Sequence, residues 1–156
     1  MYERILVAVD GSETSKRGLG EAVRLAKLTG GRLLLVHAID DVSFAAAMGA
    51  YGMDLSGAVA GDWLADLREG GRAILREAEA TAGAASVPAE TVLGEGFAGP
   101  VWEQLCKEAE NWKADLIVLG THGRRGVGRA LLGSTAEMVA RHATVPVLLV
   151  RSAQAG

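Results

Sequence analysis

The sequence predicts an α/β fold: a single doubly wound, five-stranded parallel sheet in spatial order 3-2-1-4-5, with helices on both faces. Three observations predict it. Short apolar runs alternate with helix-period segments along nearly the whole chain. The runs Ile5-Leu6-Val7-Ala8-Val9, Leu33-Leu34-Leu35-Val36 and Leu116-Ile117-Val118-Leu119 are continuously apolar, as strands covered on both faces must be. Right-handed crossovers then leave few topologies, and the common one sets the first and fourth strands side by side.

Taken in order, Ile5 to Val9 reads as the first strand, ended by Asp10-Gly11. Leu19, Ala22, Val23 and Ala26 follow the i, i+3, i+4, i+7 rule of a helix, with Ser12 as its N-cap and Gly30-Gly31 as its stop. Arg32 to Ala38 is the second strand. Residues 40–60, rich in Gly, Ala and Met, read as a long loop broken by Asp54. A second helix carries Leu64, Leu67, Gly71, Ile74, Leu75 and Ala78 on one face. Val87 to Leu93 is a more polar strand with Pro88 near its start, which suits a sheet edge. A third helix aligns Trp102, Leu105, Cys106, Ala109 and Trp112, with Cys106 expected in the core. After the strand ending at Gly120, a last helix runs from about Thr135 to His142, and Val145 to Val150 forms the fifth strand. Residues 1–152 are expected to form one domain and 153–156 a short tail.

Composition narrows the partners. At 49% hydrophobic and 22% charged, the chain has enough apolar surface for a core and enough charge for a hydrated exterior. A formal net charge of -3 gives no electrostatic footprint for nucleic acid. Cys106 is the one cysteine of the chain, so neither an intramolecular disulfide nor a cysteine-based zinc site can form, and a reducing cytoplasmic setting fits. The first apolar run is too short for a signal-peptide core or a membrane span, and no membrane partner is expected.

In a sheet of this order ligands bind where the winding reverses, beyond the carboxyl ends of the first and fourth strands. Those ends are Asp10-Gly11-Ser12 and Gly120-Thr121-His122-Gly123. Nine residues further on comes Gly133-Ser134-Thr135. Glycines admit phosphate oxygens close to backbone N–H groups. Ser134, three residues before Glu137, reads as a capping box opening the last helix, and a helix N-terminus favours an anion. Arg124, Arg125 and Arg129 gather positive charge in the same stretch. Taken singly, the glycines could be turn residues and the arginines a solvated cluster. Their coincidence at the reversal points to a bound polyphosphate. His37, ending a buried strand, reads as structural, and His142 suits a helix C-terminus.

The motif Gly120-x2-Gly123-x9-Gly133-Ser134, with Ile5 to Ser12, Leu35-Val36-His37-Ala38 and Val145 to Val150, resembles the ATP-binding branch of the universal stress protein family. The resemblance covers nearly the whole chain. It implies that Asp10 lies near the ribose and any nucleotide-bound Mg2+ or Mn2+. It implies that backbone around Ala8 and Ala38 lines the adenine and ribose pocket. Gly120, Thr121, His122, Gly123, Arg124, Gly133, Ser134 and Thr135 would surround the phosphates. It further implies a homodimer paired through Val145 to Val150, consistent with an apolar edge strand in need of a partner.

The function expected is that of an ATP-binding sensor or regulator in stress response, with slow or no hydrolysis. No Walker-type lysine follows the glycines, and no paired carboxylates flank the loop. An ATP-hydrolysing enzyme, or a binding module for AMP or another adenine nucleotide, stands as the alternative.

Overall fold

The computed structural model describes residues 1–52, 58–94, 99–122 and 132–151. The strands are β1 (Arg4–Ala8), β2 (Arg32–Ala38), β3 (Ala89–Gly94), β4 (Leu116–Gly120) and β5 (Val147–Val150). Between them run α1 (Glu13–Thr29), α2 (Asp41–Ala50), α3 (Ala58–Ala84), α4 (Val101–Trp112) and α5 (Ser134–His142). The sheet is five-stranded and parallel throughout, in the order β3-β2-β1-β4-β5. The sequence-derived topology is therefore the one the chain adopts. β1 lies centrally, with Leu6 beside Leu34 of β2 and Ile117 of β4.

Alternation along the strands builds two cores. Ile5, Val7, Val9, Leu33 and Leu35 face α1 and α3, where they meet Leu19, Ala22, Leu75 and Ala78. Leu6, Leu34, Val36, Ile117 and Leu119 face α4 and α5, where they meet Leu105, Ala109, Ala136 and Val139. Both faces of the central strands are thus dry, which is why their sequences carry no polar alternation. β3 pairs with β2 alone and is half-buried or exposed along its whole length, as an edge strand should be.

Three expectations need correction. Residues 40–60 contain helix α2 and the start of α3 instead of one long loop. Ala45, Ala46, Ala47, Met48 and Ala50 are strong helix formers, and their propensity outweighs the single Gly49. The turn after α2 closes with Gly52 N–H donating to the Gly49 carbonyl at 3.1 Å. Cys106 is half-buried at the rim of the α4–α5 core, not inside it. Partial burial and, second, the nearby Glu110 carboxylate push its thiol above the ordinary cysteine value. The third correction, at the start of α5, belongs to the site.

The tryptophans cover surface. The Arg4 guanidinium lies 4.4 Å from the centre of the Trp112 ring, whose Nε1 donates to Glu90 Oε1 at 3.2 Å. Trp102 rests against His142 with ring centres 4.5 Å apart. No helix among the described residues is long and apolar enough to cross a membrane.

Candidate nucleotide site

The sheet order reverses between β1 and β4, and the chain leaves their carboxyl ends in opposite directions, to α1 and to α5. On the β1 side, Ser12 caps α1 by accepting from the Ser15 amide at 3.2 Å. Asp10 is half-buried, and its Oδ1 accepts from the Ser12 amide at 2.8 Å, closing an Asx turn. Its own amide donates to Ser15 Oγ at 3.1 Å, and that hydroxyl donates to the Ala8 carbonyl at 3.4 Å. The Asp10 carboxylate is therefore held by local geometry and not left to swing.

On the β4 side, Gly120 allows the close approach of α1. A Cβ at Gly120 would stand 2.9 Å from both Cβ and Oγ1 of Thr14. Thr14 Oγ1 in turn donates to the His122 carbonyl, tying the first turn of α1 to the end of β4. Thr121 is buried, with its amide donating to the Val150 carbonyl at 2.9 Å. His122 is half-buried. Its Nδ1 lies 3.0 Å from Thr121 Oγ1, while its Nε2 is buried without a hydrogen-bond partner among the described residues. A buried ring nitrogen left unpaired is costly.

Gly133 returns the chain to this point. Its amide donates to the Thr121 carbonyl at 2.7 Å, and a Cβ there would meet that same carbonyl oxygen at 2.9 Å. Here the capping-box expectation fails. Gly133, which has no side chain to cap with, is the N-cap, and Ser134 is already the first helical residue. Glu137 instead bonds Arg141 one turn on, at 2.9 Å. The first intrahelical bond runs from the Glu137 amide to the Gly133 carbonyl at 2.9 Å, so the amides of Ser134, Thr135 and Ala136 precede the helical ladder. Ser134 is exposed and Thr135 half-buried at this positive end of the helix dipole.

The remaining candidates are quickly located. Ala8 and Ala38 end the adjacent strands β1 and β2 and are both half-buried. Gly123 and Arg124, with Arg125 and Arg129, lie outside the described residues. His37 is structural: buried in β2, its Nδ1 lies 2.7 Å from the Val9 carbonyl. His142 Nδ1 lies 3.0 Å from the Met138 carbonyl within α5. Among the described residues, no three His, Cys, Asp or Glu side chains cluster as metal ligands. The sequence reading missed Thr14, which ties α1 to the end of β4, and Ser15, which bonds the Ala8 carbonyl and the Asp10 amide. Their signal was a hydroxyl-rich first helical turn directly after Asp10.

The fold is that of a doubly wound α/β protein, with the sheet order reversing between β1 and β4 and the N-terminus of α5 held against the end of β4. The family model described as the universal stress protein family matches residues 1–151, and the chain belongs to that family. A universal stress protein of Thermus aquaticus is 36% identical over 157 residues, covering 97% of this chain and 100% of that protein. A solved structure from the universal stress protein family of Burkholderia pseudomallei is 33% identical with a TM-score of 0.75, covering 97% of each chain. Another, a universal stress protein in complex with cAMP, is 27% identical with a TM-score of 0.66, covering 97% of this chain and 98% of that one.

Proposed function

We propose that this chain binds ATP, or a closely related adenine nucleotide, in the crevice between Asp10 and the start of α5, and acts as a nucleotide-dependent sensor or regulator in stress response. The observation that carries the reading is the N-terminus of α5, with glycine at its cap position, drawn against the end of β4 by the bond from Gly133 to Thr121. Backbone amides at a helix N-terminus are natural phosphate ligands, and Nε2 of His122, unpaired among the described residues, suits a phosphate oxygen. The spacing Gly120-x2-Gly123-x9-Gly133-Ser134 favours a triphosphate, and the related cAMP complex favours an adenine base. In this reading the base and ribose lie against Ala8 and Ala38, with Gly123 and Arg124 joining the phosphate wall.

A divalent ion, Mg2+ or Mn2+, would arrive on the phosphates and neutralise part of their charge. Asp10 is the protein's candidate contribution to its shell. Dimerisation through Val145 to Val150 is proposed on the ground that β5 is an edge strand with Leu148 39% exposed. A cytoplasmic location is proposed from the lone cysteine alone.

Titration calorimetry with ATP, ADP, AMP and cAMP tests the ligand, and phosphate release tests turnover. Saturable ATP binding with turnover far below one per second is expected. Absence of heat at millimolar ATP would refute the nucleotide reading. Release of phosphate at several per second would replace the sensor with an ATP-hydrolysing enzyme.

A further inference from the structure

The last residue of β1 and the next one point to opposite sides of the sheet. Ala8 packs towards α4 and α5, the side of the nucleotide crevice's helix α5, whereas Val9 packs towards α1 and α3. Behind Val9, between α1 and α3, lies a cavity of about 110 Å3. Nothing in the proposed nucleotide chemistry uses it.

Its lining divides by depth. Val9, Leu19, Ile74 and Ala78 form an apolar floor, in which Val9, Leu19 and Ala78 are each 5% exposed. Two hydroxyls reach the wall, and both already serve their own backbone. Ser15 Oγ bonds the Ala8 carbonyl and the Asp10 amide, and Thr81 Oγ1 donates to the Glu77 carbonyl at 3.0 Å. A ligand needing hydrogen bonds would surrender water and gain no partner at depth. Across the mouth Lys16 of α1 and Glu77 of α3 form an ion pair of 3.1 Å. Their opposite charges cancel at the rim, so a charged ligand would have to displace one of the two. Their methylene stems extend the apolar wall outwards.

We propose that this cavity is a second ligand site, taking a compact, neutral, apolar molecule of about benzene's size. Enclosed apolar cavities of about 150 Å3 bind benzene or xenon; this one is smaller and open at its mouth, and its apolar floor is what suits that class. The site stands apart from the nucleotide crevice, with β1 between them, and the two share the turn from Val9 to Ser15.

The test is NMR of protein labelled at Ile, Leu and Val methyls, titrated with benzene and, separately, indole. Saturable shifts centred on Val9, Leu19 and Ile74 are expected, unchanged by saturating ATP. Ala78→Leu, whose extra carbons fill the cavity, should weaken binding at least tenfold. Absence of saturable shifts up to the probe's solubility, displacement of the probe by ATP, or undiminished binding in folded Ala78→Leu would each overturn the proposal. Should Ala78→Leu not fold, xenon-pressurised crystals of the unaltered chain decide it. Density between Val9, Leu19 and Ile74 supports the site, and its absence there refutes it.

Discussion

Replacing Ser134 by proline separates a binding role of the α5 amides from a stabilising one. Ser134 is the first helical residue, the position where proline is best tolerated because its N–H has no intrahelical acceptor. Gly133 precedes it at φ −60° and ψ 147°, the extended conformation that a residue before proline prefers. No hydrogen bond of the helix is lost, so folding stability should change by less than about 0.5 kcal/mol. The substitution does remove one donor from the proposed phosphate wall. A hydrogen bond to a charged group contributes about 1.5–3 kcal/mol, which corresponds to a rise in Kd of roughly 10- to 150-fold. Ser134→Ala keeps the amide and deletes the hydroxyl, so the pair divides the backbone contribution from the side-chain one. Calorimetry with ATP gives the affinities, and urea unfolding confirms that both variants fold. If Ser134→Pro folds normally and binds ATP within twofold of the unaltered protein, the α5 amides do not hold the phosphates.

Other perturbations test the surrounding architecture. Gly120→Ala puts a Cβ 2.9 Å from the Thr14 side chain and should cost about 1–3 kcal/mol by overpacking, read from denaturant midpoints. Gly20→Ala, with nothing within 4 Å on an α1 surface, should instead stabilise by about 0.5–1 kcal/mol. Lys113 ends α4 at φ +56°, so Lys113→Gly should raise stability by up to about 1 kcal/mol, and a loss would show that its side chain matters more than its backbone. The hydrogen bond and charge of Glu77 hold the Lys16 ammonium above its ordinary value. A raised lysine value means stabilisation that is complete below the unfolded-state pKa and is lost as pH rises through the folded one. Side-chain NMR should find the Lys16 midpoint elevated and returned to normal in Glu77→Gln.

The placement of Gly133 illustrates how far local sequence reaches. Ser134-x-x-Glu137 satisfies every local rule for a capping box, yet the box does not form. A bond to Thr121, twelve residues earlier, draws Gly133 into the cap position, and Glu137 turns to Arg141. The contact between Gly133 and Thr121 exists only because β4 and α5 meet, and no window of sequence contains it. The helix α2 was missed for a different reason. Glycines and methionines suggested a loop, while the alanines between them carried the propensity that decided the outcome.

Periodicity by itself determined the strands, the main helices and the sheet order, because burial on two faces writes itself into consecutive apolar residues and right-handed crossovers leave little choice. Only the tertiary structure decided which polar atoms at the ends of β1 and β4 are already engaged. It set Thr14 against His122, committed Ser15 to the β1 turn, left His122 Nε2 unpaired among the described residues and put Gly133 at the cap of α5. It alone opened the cavity behind Val9. The physical reason is common to all of these: hydrogen bonds and voids depend on groups distant in sequence meeting at a few ångströms, whereas burial pattern is a property of each segment along its own length.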